Sequence, residues 1–385
     1  MRRCWVFLLA WLVWQPVAWS ADVLLMQDGR RMVGTVASDT RDRLMFVSPE
    51  GGQRLFLVPE VARLARGHQP ARPPAFMVQF TDGTRLAAAG VAGQDGGMLS
   101  ITPVPGIAAP QGALAVPTAV VAAITLPPGV PAGLPAATER GVLLAGGDFL
   151  PGDVRLTGDT VEVQNAIFGK QTLKLEPGTV RGVVLGRQRD AAGPWLVTLA
   201  DGSRLTATKV GTDGGGLVLS TPRLGQLNVP MARLATLTYR PAEALWLTEA
   251  QLEAAEGGPE PAAARVLFAG THARVPAVLR GVPAVRSVAL AGGTTSVWRV
   301  PEGVRSFAVT AGVPAGLMPT GGAVVVLLAD GKEVARTGVL RSTSQAEPLG
   351  CDVTGVKQLS VRVEAVEGLA TPEVLLTDAL FLPPG

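Results

Sequence analysis

Apolar residues in this chain fall in short alternating runs cut by turn residues. Leu359, Val361 and Val363 alternate with Ser360, Arg362 and Glu364, the period of two that a half-buried strand requires. The run Ala323 to Ala329 ends on Asp330-Gly331, and Asp-Gly after an apolar run predicts a hairpin with positive φ at both central turn residues. One stretch reads differently. Thr248-Glu-Ala-Gln251 opens like a capping box and predicts a short helix up to Glu256, which Gly257 to Pro261 would end.

From Asp22 to Arg240 one pattern returns four times. An apolar run meets a turn at Asp28-Gly29, Asp82-Gly83, Gly147-Asp148 and Asp201-Gly202, and further runs lead to a closing segment. Those closing segments are Val61 to Leu64, Val120 to Ile124, Val180 to Leu185 and Leu234 to Leu237. Each round predicts about five short strands, enough for a small SH3-like or Sm-like barrel; alternatively, paired rounds share a larger sandwich. The turn spacing groups the rounds as first with second and third with fourth. Leu126 to Pro135 is rich in Pro and Gly and reads as a linker.

The expected organisation is a signal peptide over 1–20, a first pair of β units over 22–125 and a linker over 126–138. A second pair over 139–240 follows, then a short helix and linker over 241–263 and a β-sandwich over 264–385. The fold class is all-β.

Composition supports this. With 47 Gly, 31 Pro and 17% charged residues in 385, the chain has many turns, and its 47% apolar content suits packed cores. Arg2, Arg3, the run Trp5 to Val13 and Ala18-Trp19-Ser20 before Ala21 have the form of a secretory signal with cleavage between Ser20 and Ala21. The apolar run is about half the length of a spanning helix, so no stable membrane span is expected after cleavage, and an uncleaved anchor is the alternative. Secreted or periplasmic localisation follows from that reading. Cleavage would leave Cys351 as the single cysteine, a buried small hydrophobe rather than a nucleophile. Removing Arg2 and Arg3 leaves 32 basic against 31 acidic residues. No basic run with interleaved aromatics appears, and nucleic acid is excluded as a partner.

Catalytic constellations are missing. His68 and His272 are the two histidines, too few for a metal cluster at ligand spacing. Asp28, Asp82, Asp201 and Asp330 are accounted for by the turns they make. Gly211 to Gly216 lacks the Gly-Lys-Ser/Thr ending of a phosphate loop and leads into a strand. No clustered Asp/Asn run offers calcium its six to eight oxygens. The expectation is a non-enzyme with no catalytic residue, no metal and no cofactor.

The succession Arg280-Gly281, Ser287-Val288, Trp298 to Phe307, Gly312-Val313, Asp330-Gly331-Lys332, Gly338-Val339-Leu340, Asp352-Val-Thr-Gly355 and Leu359 to Val363 resembles the NPCBM domain. This is a carbohydrate-binding module described alongside glycoside hydrolase family 98. The resemblance covers the last quarter to third of the chain and implies a jelly-roll sandwich that recognises a glycan or cell-surface polysaccharide. Where the family shows a His after the Gly of its Lys/Arg-Gly pair, this chain has Val282 to Arg286 without one. Where the family has a Trp two residues before a late Asp, it has Leu376 before Asp378. Trp298, Arg299, Asp330 and Lys332 are the candidate sugar contacts, although the alternation around Trp298 suits a core position. The competing reading is an envelope scaffold whose β modules bind other envelope proteins and no sugar.

Overall fold

The computed structural model describes residues 21–39, 42–67, 74–107, 112–126, 139–187, 193–257, 278–279, 282–283, 286–314, 321–344, 346–366 and 372–384. The signal segment through Ser20, Cys4, both histidines and the linker from 127 to 138 lie outside them. The regular structure of the described residues is nearly all strand, and its sheets are antiparallel.

The first unit comprises β1 (Asp22–Met26), β2 (Arg31–Ser38), β3 (Arg43–Val47), β4 (Gln53–Leu57) and β5 (Val61–Ala65). The second comprises β6 (Phe76–Phe80), β7 (Arg85–Gln94), β8 (Met98–Pro103), β9 (Leu114–Pro117) and β10 (Val121–Thr125). In the third, the long second strand is broken at Gly152 (φ 157°). That unit is β11 (Gly141–Leu144), β12 (Phe149–Pro151), β13 (Asp153–Thr157), β14 (Thr160–Asn165), β15 (Gly169–Lys174) and β16 (Val180–Val184). The fourth is β17 (Trp195–Leu199), β18 (Arg204–Ala207), β19 (Lys209–Thr212), β20 (Gly216–Thr221), β21 (Gly225–Pro230) and β22 (Leu234–Tyr239). In every unit the strands form a meander whose last member returns beside the first, as β5 does on β1 and β22 on β17. A single 3-10 turn precedes that return in three of them, at Val58–Glu60, Thr118–Val120 and Met231–Arg233.

The turns after the first strands of units one, two and four share one construction. Gly29 donates to the Met26 carbonyl and Met26 to that of Arg30, while the Asp28 carboxylate accepts the Arg30 N–H. Asp82 and Asp201 do the same for Thr84 and Ser203. Only the glycine has positive φ here, a type I turn with a bulge.

Sequence spacing pairs the first round with the second, but the sheet does not. The closing strand β5 pairs with β22, joining units one and four, and β10 pairs with β16, joining units two and three. A bridge between Arg85 and Arg204 links β7 to β18 and completes one continuous sheet. The linker at 126–138 therefore connects two parts of one sheet. The cause lies in the closing strands themselves: β5, β10, β16 and β22 are buried almost throughout, so each needs a neighbour on both edges as well as a packed face. One hydrophobic core, from Leu24 to Leu237, runs under all four units.

The C-terminal sandwich starts earlier than 264. Its first strands are β23 (Leu245–Trp246) and β24 (Leu252–Glu256), the latter in place of the expected helix. Glu249 caps one turn by accepting the Trp246 N–H, after which Leu252 to Glu256 lie along the open edge of the strand Thr295–Arg299. A nine-residue helix is marginal on its own, and the strand edge supplies the backbone bonds instead. After β25 (Val278–Leu279) and β26 (Val282–Pro283) come β27 (Ser287–Leu290), β28 (Thr295–Arg299), β29 (Ser306–Gly312), β30 (Gly322–Ala329) and β31 (Lys332–Arg336). Finally there are β32 (Glu347–Asp352), β33 (Gln358–Val366) and β34 (Val374–Leu382). One face has the order β23-β34-β29-β32 with β27 also on β34; the other is β24-β28-β33-β30-β31. Between them lies a core that includes Trp298, Phe307, Phe381 and Cys351.

The sandwich is docked on the first unit. Leu25 and Ala62 pack against Trp246, Ala308, Leu380 and Leu382. Arg63, 1% exposed, crosses the seam and donates to Thr310 Oγ1 at 2.9 Å and to the Asp378 carbonyl. Burial pushes its guanidinium below the ordinary value, and the nearby Asp378 carboxylate partly opposes this. Gly350 is required by the close approach, since a β-carbon there would lie 2.4 Å from Leu25 Cδ1 and 3.0 Å from the Phe307 carbonyl.

Two substitutions test this seam. Gly350→Ala is expected to cost about 1–3 kcal/mol by overpacking. Arg63→Ala is expected to cost about 2–4 kcal/mol, because it opens a cavity and strands two acceptors. Arg63→Met, which removes the buried charge but keeps most of the volume, is expected to lose much less. Urea denaturation midpoints measure all three.

Candidate functional site

At one end of the sandwich the β28–β29 connection, the β30–β31 turn and the β32–β33 connection surround an open groove of about 780 Å³. Glu253 on β24, Arg299 on β28 and its neighbour Gln358 lie together, Asp330 and Lys357 also line the groove, and Pro301, Val304, Val353 and Val356 supply apolar surface.

The polar groups are held by one another and by backbone. Arg299 Nε donates to Glu253 Oε1 at 2.8 Å, and Gln358 Nε2 donates to Glu253 Oε2 at 2.8 Å. These bonds hold the Glu253 carboxyl below the usual carboxylate range, the Arg299 bond contributing most. Asp330 and Gly331 have φ of 44° and 80°, as a type I′ hairpin turn requires. Asp330 accepts the Gln358 N–H at 2.9 Å and the Lys357 N–H at 3.1 Å, which ties the β30–β31 turn to the start of β33. Gly303 and Gly355, with φ of 76° and 74°, let the two connections turn back on themselves. The result is three carboxylates, those of Glu253, Glu302 and Asp330, with a guanidinium, an amide and a lysine around one opening and apolar patches beside them.

Of the residues singled out in the sequence, Arg299 and Asp330 meet at this groove. Trp298 does not: it is 2% exposed and packed among Val300, Phe307 and Leu359 in the core, so it presents no ring face to a ligand. Its place in the strand alternation puts it on the inner face, opposite Leu359. Lys332 is exposed on β31 and does not line the groove. Glu253, Lys357 and Gln358 were missed. Glu253 sits in the stretch that reads as helix, and only the pairing of β24 with β28 brings it beside Arg299. Ala21, after the expected cleavage point, is exposed immediately before β1.

Nothing else among the described residues assembles reactive groups. No set of three His, Cys, Asp or Glu is placed to hold a metal ion, and no helix is long and apolar enough to cross a membrane. Cys351 is buried, and burial together with the Asp352 carboxylate raises its thiol to about 12.

The sequence profile of the NPCBM/NEW2 domain matches residues 286–373, within the sandwich. No curated protein matches the chain. Among solved structures, CBM51 from Clostridium perfringens GH95 in complex with methyl-galactose is similar to 36% of this chain over 99% of its own length, at 15% identity and a TM-score of 0.31. CBM51-2 and INT domains from Clostridium perfringens ZmpB align with 57% of this chain, at 12% identity and a TM-score of 0.32. This chain spans 43% of that one. A third is SGBP-B from a xyloglucan utilization locus in Bacteroides uniformis, at 10% identity over 84% of this chain and 94% of that one, with a TM-score of 0.26.

The thiol provides a check on the core. With its acidity moved far above neutrality, Cys351 is expected to resist alkylation by iodoacetamide in the folded protein at pH 8 and to react once the chain is unfolded in denaturant. Peptide mapping distinguishes it from Cys4. Rapid labelling of native Cys351 would contradict the packing described for β32.

Proposed function

We propose that this is an exported, non-catalytic carbohydrate-binding protein in which the end groove of the C-terminal sandwich holds a glycan. The observation that carries the reading is the coincidence of the NPCBM/NEW2 match over 286–373 with a groove built around Glu253, Arg299 and Gln358. A sugar offers neighbouring hydroxyls that donate and accept in fixed geometry. A carboxylate beside a guanidinium and an amide matches them, because charged partners make the stronger hydrogen bonds. Pro301, Val304, Val353 and Val356 suit the C–H face of a pyranose. Among the described residues no aromatic ring lines the groove, which favours modest affinity, since ring stacking supplies much of the apolar contact at carbohydrate sites.

The same bonding argues against hydrolysis of the ligand. A glycosidase needs one carboxyl that keeps its proton near neutrality, whereas Glu253 is held on the acidic side of its ordinary value. Asp330 is engaged by two backbone N–H groups. Export rests on Arg2, Arg3 and the apolar run Trp5 to Val13, with the glycan presented outside the cytoplasm.

A glycan array with the full chain tests the reading, and binding to at least one glycan class is expected. Arg299→Ala and Glu253→Gln are each expected to weaken that binding about tenfold to a hundredfold, the range for losing a charged hydrogen bond, while Lys332→Ala leaves it unchanged. Failure to bind any glycan would sink the proposal. The acidity of Glu253 adds a pH signature. Because its folded value is depressed below 4.5, the charged form and the binding it supports persist as pH falls to that point. Binding is then lost on further acidification through the folded value. Titrating array-positive binding from neutrality downward checks the sign.

A further inference from the structure

The four units act as controls for one another, and one outward face stands apart. In β4 of the first unit, Leu55 and Leu57 point away from the core and are 51% and 49% exposed. The strands that occupy the same place elsewhere carry Ala115 and Pro117 in β9, Asn228 and Pro230 in β21, and Thr172 and Lys174 in β15. Behind Leu55 in register lies Met45, and behind Met45 lies Ala37, so the apolar surface continues across three strands.

Among the described residues β4 is also a sheet end, paired with β3 alone. Asp39 donates to the Arg43 carbonyl across the β2–β3 hairpin, which aims the backbone groups of Arg43, Met45 and Val47 at β2 and those of Leu44 and Phe46 at β4. In β4, therefore, Phe56 and Arg54 are bonded to β3, and the N–H and C=O of Leu55 and Gln53 face the open edge. Outward Pro at the corresponding ends of β9 and β21 removes the donor there; in β4 the Leu57 N–H is taken by the Glu60 carboxylate at 2.8 Å, and the edge that stays open is that of Leu55 and Gln53.

The geometry points to β4 as a self-association edge, its occupant the β4 strand of a second copy of this chain in antiparallel register about Leu55. Three features favour a copy of the chain over another partner. Leu55 has donor and acceptor on the same side, so two copies exchange both bonds at the two-fold axis. In that register Arg54 lies opposite Phe56 of the partner subunit and Gln53 opposite the partner's Leu57, so no like charges face each other. The outer faces then align Met45 and Leu55 with their counterparts in one apolar row. The mode of joining is the one the chain already uses internally, where β5 and β22 meet as antiparallel edges.

A strand-edge contact buries less than the roughly 800 Å² per partner of a standard stable interface, so a concentration-dependent monomer–dimer equilibrium is expected. Sedimentation velocity of the full chain over a wide concentration range measures it. Leu55→Lys is expected to weaken dimerisation at least roughly tenfold, because two ammonium groups would meet on the axis, and the sibling-edge variant Asn228→Lys leaves it unchanged. Circular dichroism of each variant establishes that the fold is retained. A monomer at every concentration, or a dimer indifferent to Leu55→Lys, overturns the proposal. Monomer that instead co-sediments with phosphatidylcholine vesicles through Leu55 assigns the face to a lipid surface and equally overturns it.

Discussion

Every strand edge must be paired, covered or exposed to water, and the architecture of this protein follows from how its closing strands meet that requirement. A five-stranded meander that brings its last strand back beside the first leaves that last strand with one open edge. When the strand is also buried on both faces, as Val121 to Thr125 is, water cannot be the partner. Pairing β5 with β22 and β10 with β16 satisfies four such edges with two contacts, and the core beneath becomes continuous because the sheet above it is. The outer strands of each meander, with one face open to solvent, need no such arrangement and remain at the margins.

That distinction explains which parts of the architecture could be read from the residues. Strand identity was legible because Leu359 to Val363 and its counterparts obey a period of two, a local property. The Asp330-Gly331 turn was legible for the same reason, its chemistry being contained in two adjacent residues. The partnership of units was not, because Leu64 says that it is buried without saying that Leu237 lies beside it. Turn spacing reports which rounds resemble one another, and resemblance in sequence is no guide to adjacency in space. The stretch from Thr248 to Glu256 misled for a related reason: a single turn does form there, capped by Glu249 on the Trp246 N–H, but the waiting edge of β28 draws the residues from Leu252 onward into a strand.

The groove shows the same division between local and long-range information. Asp330 stands in a turn and Arg299 is the outward last residue of β28, positions where side chains that do not pack can be recognised. Glu253 becomes part of the site only through the pairing of β24 with β28 within one sheet, and it is Glu253 that orients Arg299 and Gln358 together. Trp298 illustrates the converse. An aromatic residue is a natural first choice for a sugar platform, yet its neighbours in register fix it on the inner face, where its size fills the space between the two sheets. The NPCBM/NEW2 match and the groove concern the same module, while the four units before it act as the body on which Arg63 and Gly350 seat that module.

The nested order of the units also has a consequence in time. A chain made or translocated from its N-terminus completes β1 to β5 long before β22 exists, so the outer edge of β5 must wait for residues around Thr236, which pair with Ala65. Units two and three can close on each other first, since β10 and β16 are separated by much less chain. The inner pair therefore offers a nucleus of lower contact order, and the outer pair wraps around it last. During that interval an apolar strand edge stands open, the period in which the chain is most exposed to mispairing. An order of assembly from the inside outward is thus written into the connectivity of the sheet.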